Sequence, residues 1–201
     1  MVNHYPLLMV AWNTVLALIP CLIAYYLAQA VRGKRWETLN RVNQILFTIV
    51  FLVWLFFLPN TAYLFTMVRH LLNHCEAFDP FLRVCREEAW MVMFFLLYAL
   101  VGLPTFIYAL RKMSRVFHKT FGAAVGEYLP LVIIPFTTLG VLMGLIDRLN
   151  SWEVLTRPLI VIEIGLTYFA DAYKFWNLIA YAAALFLIYY GIGHALRKIL
   201  K

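Results

Sequence analysis

Residues 56–74 read "FFLPNTAYLFTMVRHLLNH", and the fold turns on how this stretch is read. It opens inside an apolar run, meets Pro59-Asn60, and resumes as a segment that is apolar on one side only. Proline has no backbone N–H and disfavours helical backbone in the residue before it, so Pro59 is expected to end a helix. Asn60 would then cap a new helix beginning at Thr61. At about 100° per residue, Tyr63, Thr66, His70, Asn73 and His74 share one stripe, with Leu64, Phe65, Val68, Leu71 and Leu72 opposite. The break therefore predicts a chain that crosses a membrane and then lies along its edge, or re-enters it to line a polar cavity.

The residues on either side carry the same message. The chain has 201 residues, 64% hydrophobic and 13% charged, whereas soluble domains are about 45–50% apolar and about 25% charged. The excess lies in runs that approach the roughly 20 residues a membrane-spanning helix needs. Spans are expected at about 6–30, 42–58, 89–110, 126–146 and 175–196, with Pro130 and Pro135 kinking the fourth. Residues 60–74 and 158–172 are too short to cross comfortably. The fold class is an all-α polytopic membrane protein, with five spans and two short interfacial or re-entrant helices in one transmembrane domain over 1–201.

Charge orients this bundle. The net charge of +7 has no basic domain behind it, which argues against a nucleic-acid partner. Of 17 Lys and Arg residues, 11 fall in three clusters: Arg32, Lys34, Arg35 and Arg41, then Arg111, Lys112, Arg115 and Lys119, then Arg197, Lys198 and Lys201. Basic residues concentrate on the cytoplasmic side of membrane proteins, so the N-terminus is expected outside and the C-terminus in the cytoplasm. A sixth crossing at 158–172 would put the basic C-terminus outside. "LAQA" before Val31 has the look of a cleavage site, but no Lys or Arg precedes the apolar run and several follow it, so a retained helix is expected.

A second stretch, "GVLMGLIDRLNSWEVLTRP" at 140–158, holds most of the remaining signals. Gly140 and Gly144 lie on one helix face and allow close packing. Asn150 and Glu153 have capping-box spacing, and Trp152 suits the headgroup region. Asp147 and Arg148 are left to pair with each other or with lipid phosphate.

Together with "FLPNTAYLFT", the His70-Leu71 that follows and "WNTVLALIP" in the first helix, this stretch resembles an uncharacterised bacterial membrane family, domain of unknown function 1361. Pro59, Asn60, Tyr63, Thr66 and His70 match that family's first motif, and Asp79 matches an isolated Asp. Gly144, Arg148, Asn150, Ser151 and Trp152 match its second motif, with Glu153 in place of Asp. Met67, Leu145 and Leu149 depart from its Asp, Arg and Trp. The resemblance implies a fold and no particular activity.

Other candidate chemistry is sparse. His70 and His74 share a helical face near Asp79, an alternative metal-ligand set, but the Glu that follows the first His in metalloprotease helices is replaced by Leu71. No cofactor is expected. Cys75 and Cys85 bracket an outer loop and would form a disulfide in an oxidising compartment or stay unpaired. Glu163 is expected to face water, and Asp171 to pair with Lys174 across one turn. The expected function is a non-enzymatic binding or assembly role, with a polar pocket at the extracytoplasmic face formed by Asn60, Tyr63, His70, Asp79, Arg148, Asn150, Ser151, Trp152 and Glu153. Its partner would be a lipid headgroup, a small solute or another membrane protein, in addition to the bilayer. Two other classes compete: an enzyme on a lipid-linked substrate, using His70 as base and Asp79 or Glu153 as acid, or a transporter acting as an oligomer.

Overall fold

A computed structural model describes residues 5–31, 34–67 and 89–193, and among these no strand occurs. The helices are α1 (Tyr5–Val31), α2 (Arg41–Phe57), α3 (Pro59–Tyr63), α4 (Ala89–Phe121), α5 (Ala123–Leu145), α6 (Glu153–Thr156), α7 (Pro158–Ala170) and α8 (Ala172–Phe186). A π-helical turn, Leu187–Ile192, extends α8.

Five segments are long and apolar enough to span a bilayer: Val10–Val31, Arg41–Met67, Met93–Phe121, Ala123–Leu145 and Ala172–Ile192. Large apolar side chains remain exposed on the outside of this bundle, among them Leu22, Ile49, Leu97, Val132 and Trp176. In water such a surface would drive association, whereas against lipid chains it carries no penalty. The protein is a multi-pass integral membrane protein. Helix α7, with 13 residues, covers about 20 Å at 1.5 Å per residue, short of the roughly 30 Å hydrocarbon core.

Local signals account for the element starts. Asn40 caps α2, its Oδ1 accepting the Asn43 N–H at 2.8 Å, and Asp171 caps α8 by accepting the Lys174 N–H at 2.9 Å. Gly122, at φ 110°, separates α4 from α5 in a conformation that side chains disfavour. The basic residues from Arg111 to Lys119 therefore belong to α4 itself, not to a loop after it. An apolar run ends at Leu110, but nothing in the sequence breaks the helix before Gly122.

The break at Pro59 differs from expectation in two ways. Leu58 keeps helical backbone (φ −56°, ψ −39°), so the chain passes through Pro59 without leaving its helical path. Asn60 does not cap, because its amide donates to the Phe57 carbonyl at 3.0 Å. Thr61 N–H bonds to Leu58 at 3.0 Å, and its hydroxyl donates to the same carbonyl at 2.7 Å. These side-chain donors compensate for the interrupted ladder, as prolines inside membrane helices require.

Nor does the segment after Pro59 lie along an edge. Thr61, Ala62, Leu64, Thr66 and Met67 are all buried, and α3 packs among α1, α4 and α5. The Thr66 hydroxyl, counted on the polar stripe, turns back to the Tyr63 carbonyl at 2.7 Å. The two-sided pattern is absorbed by helices on both flanks. The rest of that stripe, from His70 to His74, lies outside the described residues.

Candidate functional site

The site grows from the fit of α3 against α5. A Cβ added at Gly140 would lie 2.6 Å from Pro59 Cγ, and one at Gly144 would lie 3.6 Å from the Tyr63 ring. Gly140 thus lets Pro59 pack directly on the α5 backbone, whereas a methyl at Gly144 would make only ordinary contact with Tyr63.

Beyond Gly144 the helix ends in an unusual turn. Asp147 N–H still reaches Met143 at 3.1 Å, and Leu149 N–H returns to the same carbonyl at 3.2 Å. Between them Arg148 sits at φ 60°, the left-handed region that non-glycine side chains pay to enter. Its side chain is exposed and makes no hydrogen bond or ion pair among the described residues. Held strain of this kind is a pointer to function.

The chain then closes back on α3. Asn60 Nδ2 donates to Ser151 Oγ at 2.9 Å, a contact 91 positions apart in sequence. Both amide hydrogens of Asn60 are now used, one on Phe57 and one on Ser151. The Ser151 oxygen accepts, which leaves its own hydroxyl hydrogen to donate. Half of the expected capping box forms: the Glu153 carboxylate accepts the Asn150 N–H at 2.6 Å. Trp152, not Asn150, precedes the short helix α6 and is 42% exposed. Outward the corner presents the exposed Arg148 guanidinium and the exposed Asn150 carboxamide, which both donates and accepts, beside the Ser151 hydroxyl and the half-buried Glu153 carboxylate.

A polar cluster not anticipated from the sequence supports this corner from below. Asp147 accepts the Tyr168 hydroxyl at 2.6 Å and the Lys174 ammonium at 3.2 Å. Lys174 also donates to Thr167 at 3.0 Å and sits over the Tyr168 ring, 4.8 Å from its centre. Lys174 therefore pairs with Asp147, and Asp171 serves as a cap, which corrects the expected Asp171–Lys174 pair. Asp147 does not pair with Arg148 either. Burial of Tyr168, its bond to Asp147 and that carboxylate's charge together raise its pKa above the ordinary 10.0. Opposite charges at the ends of α5 and α8 were the available signal, since a five-span topology brings those two ends to one side.

Of the expected site residues, Asn60, Tyr63, Arg148, Asn150, Ser151, Trp152 and Glu153 belong to this one corner. His70, His74 and Asp79, like Cys75 and Cys85, lie outside the described residues. Glu163 is exposed on α7.

A family model described as "Protein of unknown function (DUF1361)" matches residues 12–189, and the chain belongs to that family. No curated protein and no solved structure matches it.

Proposed function

We propose that this family member is a non-enzymatic binding protein of a bacterial plasma membrane, recognising an oxyanion at its extracytoplasmic face through the Arg148–Glu153 corner. The observation that carries this reading is the Asn60–Ser151 hydrogen bond, which ties the two sequence motifs into one structure. Arg148, strained and without a partner among the described residues, supplies a charged fork suited to carboxylate or phosphate. The Asp147–Lys174–Tyr168 cluster holds the turn that displays Arg148. The ligand class is a lipid headgroup, a small solute or an acidic loop of a partner membrane protein. The three basic clusters support the orientation, with the N-terminus outside and the C-terminus in the cytoplasm.

The reading is tested in a deletion strain. Arg148→Ala and Asn150→Ala are expected to abolish complementation while the protein accumulates at normal levels. Full complementation by both variants would remove the binding role.

A further inference from the structure

Helix α5 is 23 residues long, about 35 Å from end to end, and the end remote from Ser151 holds a separate cavity of about 470 Å³. Its wall on α4 is formed by Arg111, Ser114, Arg115 and His118, spaced i, i+3, i+4 and i+7, one stripe of a helix. Glu127 faces it from α5, and Tyr189 and Tyr190 close it from the π-helical turn.

We propose that this cavity binds a phosphoryl group, carried by a phospholipid headgroup or by a small phosphorylated solute. Three features converge on that chemistry. First, the basic residues are gathered around a half-open cleft between α4, α5 and the π turn, whereas a cluster serving only for orientation needs no cleft. Arg115, His118 and Glu127 form no ion pair among the described residues, so the donors of Arg115 and His118 are not consumed internally. The Arg115 guanidinium with the His118 imidazole suits a phosphate, and Glu127 can accept from a hydroxyl or ammonium on the rest of the headgroup.

Second, the backbone brings the walls of the cleft close together. Any Cβ on Gly193 would collide with the Arg111 guanidinium, and any Cβ on Gly126 would lie 2.6 Å from the His118 backbone nitrogen. The π turn widens the helix locally and sets Tyr189 and Tyr190 edge to face, with ring centres 4.9 Å apart. Tyr189 is buried under Arg111 at 5.7 Å, while Tyr190 remains 48% exposed at the mouth. π turns inside α-helices are frequently functional.

Third, the depth is right. Helix α4 carries no charged residue from Ala89 to Leu110, a run close to the roughly 20 residues of a hydrocarbon crossing, which sets Arg111 to His118 at headgroup level. Basic pockets between helices at that level hold phosphorylated headgroups.

The test uses the full chain purified in a neutral detergent. Affinity is read by thermal stabilisation against three probes: short-chain phosphatidylglycerol, short-chain phosphatidylcholine and inorganic phosphate. Arg115 is exposed, so Arg115→Gln leaves the packed core intact, and Arg115→Lys keeps the charge but not the fork. Arg35→Gln removes one charge at the same end of the bundle but outside the cavity. The expected result is binding weakened about ten-fold or more by Arg115→Gln, less by Arg115→Lys and not by Arg35→Gln. Preference for phosphatidylglycerol over both other probes assigns a lipid source. Binding of inorganic phosphate with the same Arg115 dependence assigns a soluble one. The proposal is overturned if neither phosphatidylglycerol nor phosphate binds, if Arg115→Gln and Arg35→Gln act alike, or if both Arg115 variants bind as the unaltered chain does.

Discussion

Arg148 combines a strained backbone with a charge unpaired among the described residues, and the two can be separated by substitution. Arg148→Gly relieves the left-handed strain and is expected to raise stability by about 1 kcal/mol while losing complementation. Thermal denaturation in detergent checks the first half, and an unchanged or lowered midpoint would show that the turn is not strained. The Asn60–Ser151 bond is best measured by a double-mutant cycle of Asn60→Ala and Ser151→Ala, with an expected coupling of about 0.5–1.5 kcal/mol. Tyr168 offers a pH signature. Its pKa is raised above 10.0 in the folded protein, so its contribution is complete below about pH 10 and lost as pH climbs toward the folded value. Stability should fall above that pH, and the fall should be smaller in Tyr168→Phe. Equal alkaline losses in the two proteins would rule out Tyr168 as their source. At this scale the motif residues were visible as letters, but their partners were not. Asn60 reads equally well as a cap, and only the return of the chain 91 positions later turns it into a donor to Ser151.

Between elements, packing depends on how closely backbones approach. Gly102 on α4 faces α3 so tightly that a Cβ there would lie 2.9 Å from the Thr61 carbonyl oxygen and 2.8 Å from the Phe65 ring. Because one of these neighbours is backbone, it cannot rotate away. Gly102→Ala is expected to cost about 1–3 kcal/mol, whereas Gly191→Ala, with nothing within 4 Å of the new carbon, should cost far less. Denaturation midpoints of the two variants, compared directly, test whether α3 is wedged between α1, α4 and α5. The helix starts at Asn40 and Asp171 follow local rules that hold whatever surrounds them. The enclosure of α3 does not follow from such rules. A half-polar stripe is consistent with an interface, and equally with a core in which each hydroxyl returns to its own backbone, as Thr61 and Thr66 do.

For the whole molecule, topology is the first quantity to measure. In a variant lacking the native cysteines, Leu155→Cys and Lys119→Cys place single thiols on exposed positions at opposite ends of α5. A membrane-impermeant reagent applied to intact spheroplasts is expected to label position 155 and not 119. The reverse pattern would invert the protein and move the Ser151 corner to the cytoplasm. Membership of the family, the all-helical class and five spans were all legible in the sequence, because each depends on features that act locally. Apolar run length must match bilayer thickness, caps and glycines bound their own helices, and short motifs carry the family resemblance. The joining of the two motifs, the Asp147–Lys174–Tyr168 cluster and the basic cavity were decided only by tertiary structure. Each needs side chains from different helices to meet at one depth, and helix order in a bundle is set by which surfaces pack closest, a property of pairs of helices that no single helix encodes.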